Sequence, residues 1–394
     1  MTTLNPNIPE EIRKVASDGT ALRYALMEMA TGPDVIALGR GDPDLPTPSH
    51  IIEAAQQAVR DGNTGPTPVA GMPALREAIA AKLRDENGLP IVAENVIVTT
   101  GGQEALYLLM QVLLNPGDEV LVPDPRYTSY DQAIAAAGGS MVMVPTDHED
   151  AFNLLPEAVE AAITPNSKAL LIVTPSNPTG GIVTRERLEQ IADIAKRHNL
   201  IVISDEIYEK FVFDGHEHFS IGSLPGMAER TITLNGFSKT YAMTGLRVGY
   251  VAAPKNFIEG ITKVKAFTTG PAATVSQHAS LAAATGPVEP LHEFIRIYEE
   301  RRQAMKDGLN AMDLNYSDPR GAFFFWTNSA PTGIHATELS YLLLKEGNVL
   351  IFPGTGFGEQ WGGYLRISIL QDTEKIREAV ARMQTVIEKY RVEA

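Results

Sequence analysis

The sequence contains no cysteine, which excludes disulfides, thiolate nucleophiles and cysteine-ligated zinc. No metal site is expected. It also lacks any run of about 18 apolar residues, the length a membrane-spanning helix needs. The N-terminal MTTLNPNIPEEIRK has no apolar stretch of the kind a secretory signal uses, so a cytoplasmic location without membrane contact is expected. Basic residues are scarce: 33 Lys and Arg stand against 48 Asp and Glu, a formal charge of −15. Such a balance repels a nucleic-acid backbone unless cations cluster locally. No cluster is present, so nucleic acid is not an expected partner. Low-complexity segments and repeats of fixed period are absent too.

What is present is an ordinary globular composition, 44% hydrophobic and 21% charged over 394 residues. That length exceeds what one core usually supports and predicts one large and one smaller domain. From about residue 50 the chain alternates helical and strand patterns. Helices are predicted over His50–Asp61, Pro73–Glu86, Gln103–Leu114 and Arg185–His198. Short apolar strands are predicted at Asn95–Thr99, Glu119–Val122, Ala169–Val173, Ile201–Ser204, Thr231–Leu234 and Val248–Ala252. Nearly unbroken apolar strands separated by helices indicate an α/β domain with a mostly parallel sheet covered on both faces. After Gly286 come a long helical stretch through Leu309, a Gly-Ala-Phe-Phe-Phe-Trp strand, a helix from Thr337, a Pro353-Gly354 turn, the strand Tyr364–Ile369 and a closing helix. These predict a smaller α+β domain that the first 40-odd residues join. The expected division is 45–285 for the large domain, with 1–44 and 286–394 forming the small one.

Polar residues sit at the ends of the apolar strands, where an open α/β sheet has its ligand crevice. Thr99-Thr100-Gly101-Gly102-Gln103 ends one strand and starts a helix, a setting in which exposed amides and the positive helix end suit a phosphate; the same residues also read as a plain tight turn. No Walker lysine or third glycine completes a nucleotide motif. Pro175-Ser176-Asn177-Pro178-Thr179-Gly180 follows the strand ALLIV. Ser204-Asp205-Glu206-Ile207-Tyr208 places two carboxylates at a buried strand end, which calls for a cationic partner unless one of them is a helix cap. Asn235-Gly236-Phe237-Ser238-Lys239 is followed by Gly245-Leu246-Arg247. A lone lysine is usually a surface charge, but one beside apolar residues and a cation is suited to imine formation with an aldehyde.

Together with Gly41-Asp42-Pro43-Asp44 and Arg366, these motifs in this order resemble the class I/II aminotransferases of pyridoxal-phosphate fold type I, over nearly the whole chain. The resemblance implies a seven-stranded, mostly parallel sheet, a homodimer, and pyridoxal 5'-phosphate as cofactor. It implies that Lys239 forms the Schiff base and then shuttles a proton, and that Asp205 grips the pyridine nitrogen. Asn177 and Tyr208 match the pair on the ring's phenolic oxygen, and Tyr127 the aromatic residue stacked on the ring. Gly101, Gly102, Gln103, Ser238 and Arg247 match the phosphate contacts. Arg366, Gly41 and Asn177 are the implied substrate contacts, with Arg366 and Gly41 matching those to the α-carboxylate.

Two positions depart from the family pattern. Pro66 stands where many relatives carry a tyrosine that reaches the neighbouring subunit's cofactor, with Thr64 or Thr67 as substitutes. Gln103 stands where some aspartate-selective relatives place a lysine, leaving Arg40 and Arg126 as candidates to read a distal carboxylate. The implied activity is amino-group transfer between an L-amino acid and a 2-oxo acid, with aspartate or glutamate and 2-oxoglutarate or oxaloacetate favoured. The same constellation also serves a β-eliminating or decarboxylating lyase. A cofactor-binding regulatory module is disfavoured because no DNA-binding segment precedes Gly41, and Gly39-Arg40-Gly41 opens no dinucleotide-binding βαβ unit.

Overall fold

The computed structural model describes residues 9–15 and 18–391; residues 1–8, 16, 17 and 392–394, expected in the small domain, lie outside the described residues. In chain order the strands are β1 (Ile36–Ala37), β2 (Val96–Thr99), β3 (Glu119–Asp124), β4 (Ser140–Pro145), β5 (Ser167–Val173), β6 (Ile201–Asp205) and β7 (Thr231–Gly236). They continue as β8 (Gly249–Ala252), β9 (Tyr316–Ser317), β10 (Phe324–Asn328), β11 (Val349–Leu350), β12 (Phe352–Pro353) and β13 (Tyr364–Ser368).

Seven of them form one sheet in the order β2-β8-β7-β6-β5-β3-β4. Every residue of β2, β7 and β8 is buried, as expected for strands covered on both faces by helices. The predicted parallel character holds from β7 to β4. β8 departs from it, running antiparallel to both β2 and β7. Apolar content reports burial but carries no direction, so the reversal is invisible in the sequence pattern. β4 was not among the expected strands: it is the sheet edge, and most of its residues are half-buried or exposed. The helix expected from Gln103 starts earlier, spanning Gly101–Leu113, which puts both glycines in its first turn.

A second, antiparallel sheet has the order β12-β13-β10-β9. The helices Glu289–Ala311, Ala336–Gly347 and Thr373–Tyr390 contribute Tyr298, Met305, Leu339, Leu343, Ile376 and Met383 to the core around it. The N-terminal segment joins this part of the molecule: β1 pairs in parallel with β11, and the Leu38 carbonyl accepts from the Ser368 amide at 2.7 Å. No helix among the described residues is long and apolar enough to cross a membrane.

The two sheets meet through the segment that follows β6. Tyr208 and Phe211 leave the large sheet and enter the small-sheet core. The Tyr208 ring packs edge-on against Phe323 and Phe324, with centroids 5.5 and 5.8 Å away. Phe211 and Tyr298 lie 4.5 and 4.7 Å from Phe323. Phe323 is therefore the hub of the joint. Truncation of so large a buried ring typically costs about 3–5 kcal/mol, so Phe323→Ala should lower the midpoint of urea denaturation markedly, whereas truncation of the 94% exposed Phe267 should leave it nearly unchanged.

Candidate active site

The carboxyl ends of β5, β6 and β7, the start of the helix Gly101–Leu113 and the strand β13 open on one cleft of about 510 Å3. Gly41, Gly102, Gln103, Tyr127, Asn177, Asp205, Tyr208, Ser238, Lys239, Arg247 and Arg366 all line it. Gly101 lies just behind, with a backbone φ of +79°. A Cβ there would come within 2.6 Å of Arg247 Nη2, the free end of a flexible side chain; it is the left-handed φ that calls for glycine. Thr100 donates its amide to the Glu104 carboxylate, and Glu104 in turn pairs at 2.7 Å with the fully buried Lys265. This ion pair anchors the turn that presents the Gly101 and Gly102 amides, whose position in the first turn leaves them without intrahelical acceptors.

Asp205 ends β6. Its Oδ2 accepts from the Tyr130 hydroxyl at 2.8 Å and its Oδ1 from the Ile207 amide at 3.2 Å. Burial pushes its carboxyl up, against the pull of those two hydrogen bonds. Such a group gains from a cationic donor. Burial likewise drives the Tyr208 phenol far above its ordinary range, so it stays a protonated donor.

Lys239 reaches into the cleft, donating to the Gly41 carbonyl at 2.9 Å and to Asp42 Oδ1 at 3.1 Å. Gln103 donates its side-chain amide to the Tyr127 hydroxyl at 3.1 Å, which ties the aromatic wall to the helix start. Arg366 is buried between the rings of Phe324 and Phe357, at 4.3 and 4.6 Å. It donates to Asn177 Oδ1 at 3.0 Å and to the Gly39 carbonyl at 2.5 Å. Burial first, then the charge of Arg23, pull its guanidinium down to about 9, the condition of a cation short of a counterion.

Neither candidate for a distal carboxylate lines the cleft. Arg126 is consumed by Asp124 and Asp131, each at 2.7 Å, and Arg40 is exposed. Around the departure at Pro66 the backbone is exposed, and Thr67 is held at 2.8 Å by Gln277. Sequence reasoning missed Tyr130 and Arg23, both of which line the cleft. Tyr130 carried a signal, since it repeats the aromatic type of Tyr127 three residues on, and the two rings meet edge-on with centroids 5.7 Å apart. Arg23 carried none.

Comparison with known proteins identifies the family. The family model for aminotransferase class I and II matches residues 33–383. The chain belongs to that family. An aspartate aminotransferase of Pyrococcus abyssi is 42% identical over 96% of each chain. An aromatic-amino-acid aminotransferase of Thermococcus litoralis is 40% identical over 97% of this chain and 96% of its own. The crystal structure of the Pyrococcus horikoshii aromatic aminotransferase superposes with a TM-score of 0.89 at 41% identity, covering 93% of this chain and 98% of that one. Fold and family together make the chain a pyridoxal-phosphate-dependent transaminase.

In this aminotransferase a second polar cluster lies beside Asp205 without lining the cleft. Glu206, Glu209 and His218 bring their ligand atoms within 4.8 Å of one another. Their charge is met by protein groups: Lys82 pairs with Glu209, Asn87 donates to Glu209 at 2.7 Å, and Ser204 and Ser220 donate to Glu206 at 2.8 and 2.6 Å. Burial raises the Glu209 carboxyl, but Lys82, His218, Lys210 and Asn87 together hold it down at about 2, against an ordinary 4.5. The depressed value stabilises the fold fully above pH 4.5, and that stability is lost as pH falls towards 2, because the unfolded chain takes up the proton first. Denaturant midpoints measured across this window should therefore fall with pH in the native chain, and the slope should be shallower in Glu209→Gln.

Proposed function

We propose that this cleft moves an amino group between an L-amino acid and a 2-oxo acid in a ping-pong cycle, with aspartate or glutamate as donor and 2-oxoglutarate or oxaloacetate as acceptor. The observation that carries the proposal is the convergence of Lys239, Asp205 and Arg366 on one cleft. An amine, a half-buried carboxylate and a carboxylate-binding cation arrive there from just past β7, the end of β6 and the middle of β13.

The residues fit pyridoxal phosphate. The cleft lies within the usual size range of cofactor sites, Gly101 makes room for Arg247 at the helix start, and the raised Asp205 carboxyl suits a pyridinium N–H. Bound there, the cofactor supplies a carbonyl carbon for the amine and a ring that withdraws electrons from the α-carbon.

Lys239 Nζ is the one side-chain amine lining the cleft among the described residues, so it is assigned to hold the cofactor and, once released, to take and return the α-proton. Asp205, oriented by Tyr130 and Ile207, keeps the ring nitrogen protonated. The Asn177 carbonyl oxygen is engaged by Arg366, which leaves its Nδ2–H for the phenolic oxygen beside the Tyr208 hydroxyl. Tyr127 covers the ring face. The amides of Gly101, Gly102 and Gln103, the Ser238 hydroxyl and the Arg247 guanidinium hold the phosphate. Arg366 takes the substrate α-carboxylate, together with the Gly41 amide.

A substrate held by both Arg366 and Lys239 spans the two proposed domains, 45–285 and 1–44 with 286–394, and draws them together over the reacting atoms. The assembly proposed is a homodimer. Relatives named for aspartate support the acidic donor, and those named for aromatic amino acids mark the competing class.

Titration of the cofactor-loaded protein with single amino acids, without any oxo acid, tests this reading. Donors should convert the visible absorption of the lysine-bound cofactor to the shorter-wavelength absorption of the aminated form, and Lys239→Ala should abolish both the starting band and the conversion. Asp205→Asn loses a charge-assisted contact of about 1.5–3 kcal/mol, so kcat/KM should fall roughly 10- to 150-fold. Release of pyruvate or carbon dioxide with no oxo acid required would instead assign the cleft to a lyase.

A further inference from the structure

The cations of the cleft differ in how they are compensated. Lys239 faces Asp42, and Arg366 has Asn177, the Gly39 carbonyl and two aromatic faces. Arg23 has no carboxylate partner among the described residues, and its guanidinium lies over the Phe352 ring, 5.1 Å from the centroid. It sits on the helix Gly19–Met29, whose Leu22 and Leu26 are fully buried, so the stem of Arg23 borders the packed stripe while its head reaches the cleft. Phe352 is the register partner of Arg366 across β12 and β13. The two arginines thus share one wall, close enough for the charge of Arg23 to weigh on Arg366.

Two neighbouring guanidinium groups on a partly desolvated wall repel each other unless an anion answers both. One carboxylate satisfies Arg366. The remaining cation calls for a second carboxylate on the same molecule. The other groups that might have played this part are engaged elsewhere: Arg126 is held by Asp124 and Asp131, and the Gln103 side chain by Tyr127.

We propose that Arg23 is the specificity-determining residue that receives the side-chain carboxylate of a dicarboxylic substrate, while Arg366 takes the α-carboxylate. The inference rests on the transaminase reading and adds the residue that selects acidic over neutral and aromatic donors.

The test compares the holoenzyme with Arg23→Gln and Arg23→Lys, each checked for native circular dichroism, in half-reactions with aspartate, glutamate, alanine and phenylalanine. Succinate, a dicarboxylate that cannot react, is titrated spectroscopically in parallel as a pure binding probe. Loss of one charge-assisted contact predicts that Arg23→Gln lowers kcat/KM for aspartate and glutamate roughly 10- to 150-fold. The loss should fall mainly on KM, with succinate affinity falling alongside, and alanine and phenylalanine should change less than about threefold. Arg23→Lys should recover part of the acidic activity, since it keeps the charge without the fork. An equal loss for all four donors would overturn the proposal by showing that Arg23 acts on the shared carboxylate site, and so would unchanged kinetics with the acidic donors. Either result leaves the transaminase reading standing as long as the native enzyme converts any of the four donors. If the native enzyme converts no amino acid, the transaminase reading itself fails, and this proposal with it.

Discussion

The site depends on one buried guanidinium. Arg366 projects from β13, yet its hydrogen bonds go to Asn177, beyond the end of β5, and to Gly39, in the N-terminal segment. Three stretches far apart in sequence are thereby pinned at one point. The charge is buried without any carboxylate, so its solvation comes from two amide oxygens and two ring faces, and its Nε has no partner. Polar interactions of this kind compensate only part of the lost hydration. The arrangement persists because the small-sheet core, packed around Phe323 and Phe324, holds the strand in place regardless of the charge it carries. Packing thus maintains a cation in a state that favours anion capture, and ligand binding relieves what folding leaves unresolved.

Much of this was legible in the sequence, and for physical reasons. Strands buried on both faces are largely apolar, so β5 and β6 stand out as short runs of Leu, Ile and Val, and β7 by Ile232 and Leu234 alternating with threonines. Polar residues just past such runs are conspicuous because a buried strand end tolerates them only with partners. Asn177, Asp205 and Lys239 announce themselves in this way, and the structure brings them to one cleft. Glycine at 101 is informative for another reason, since its left-handed φ disfavours a side chain.

What escaped the sequence is equally instructive. The direction of β8 and the half-exposed edge strand β4 are matters of long-range pairing, on which apolar periodicity is silent. Arg126 looked available because it adjoins Tyr127, but Asp124 and Asp131 close on it from both sides. Arg23 drew no notice, because nothing local says that the helix carrying it will border the cleft. Charges are hard to assign from sequence alone, since their role depends on which opposite charge arrives from elsewhere.

The reversed strand β8 has a consequence for what the two sides of the cleft can become. Running against its neighbours, it begins where they end, so Arg247, just before it, is delivered to the same rim as Gly101. At that rim a Cβ on Gly249 would lie 2.7 Å from the Gly101 carbonyl carbon. Two main chains are therefore in contact with no side chain between them, and the aperture there is dictated by covalent geometry. Exchanging side chains cannot widen or narrow it. Arg23 and Arg366 line the cleft too, but as side chains carried by separately packed elements. A rim set by the main chain is thus fixed, whereas the part of the cleft that carries Arg23 can be remodelled by single substitutions without altering that rim.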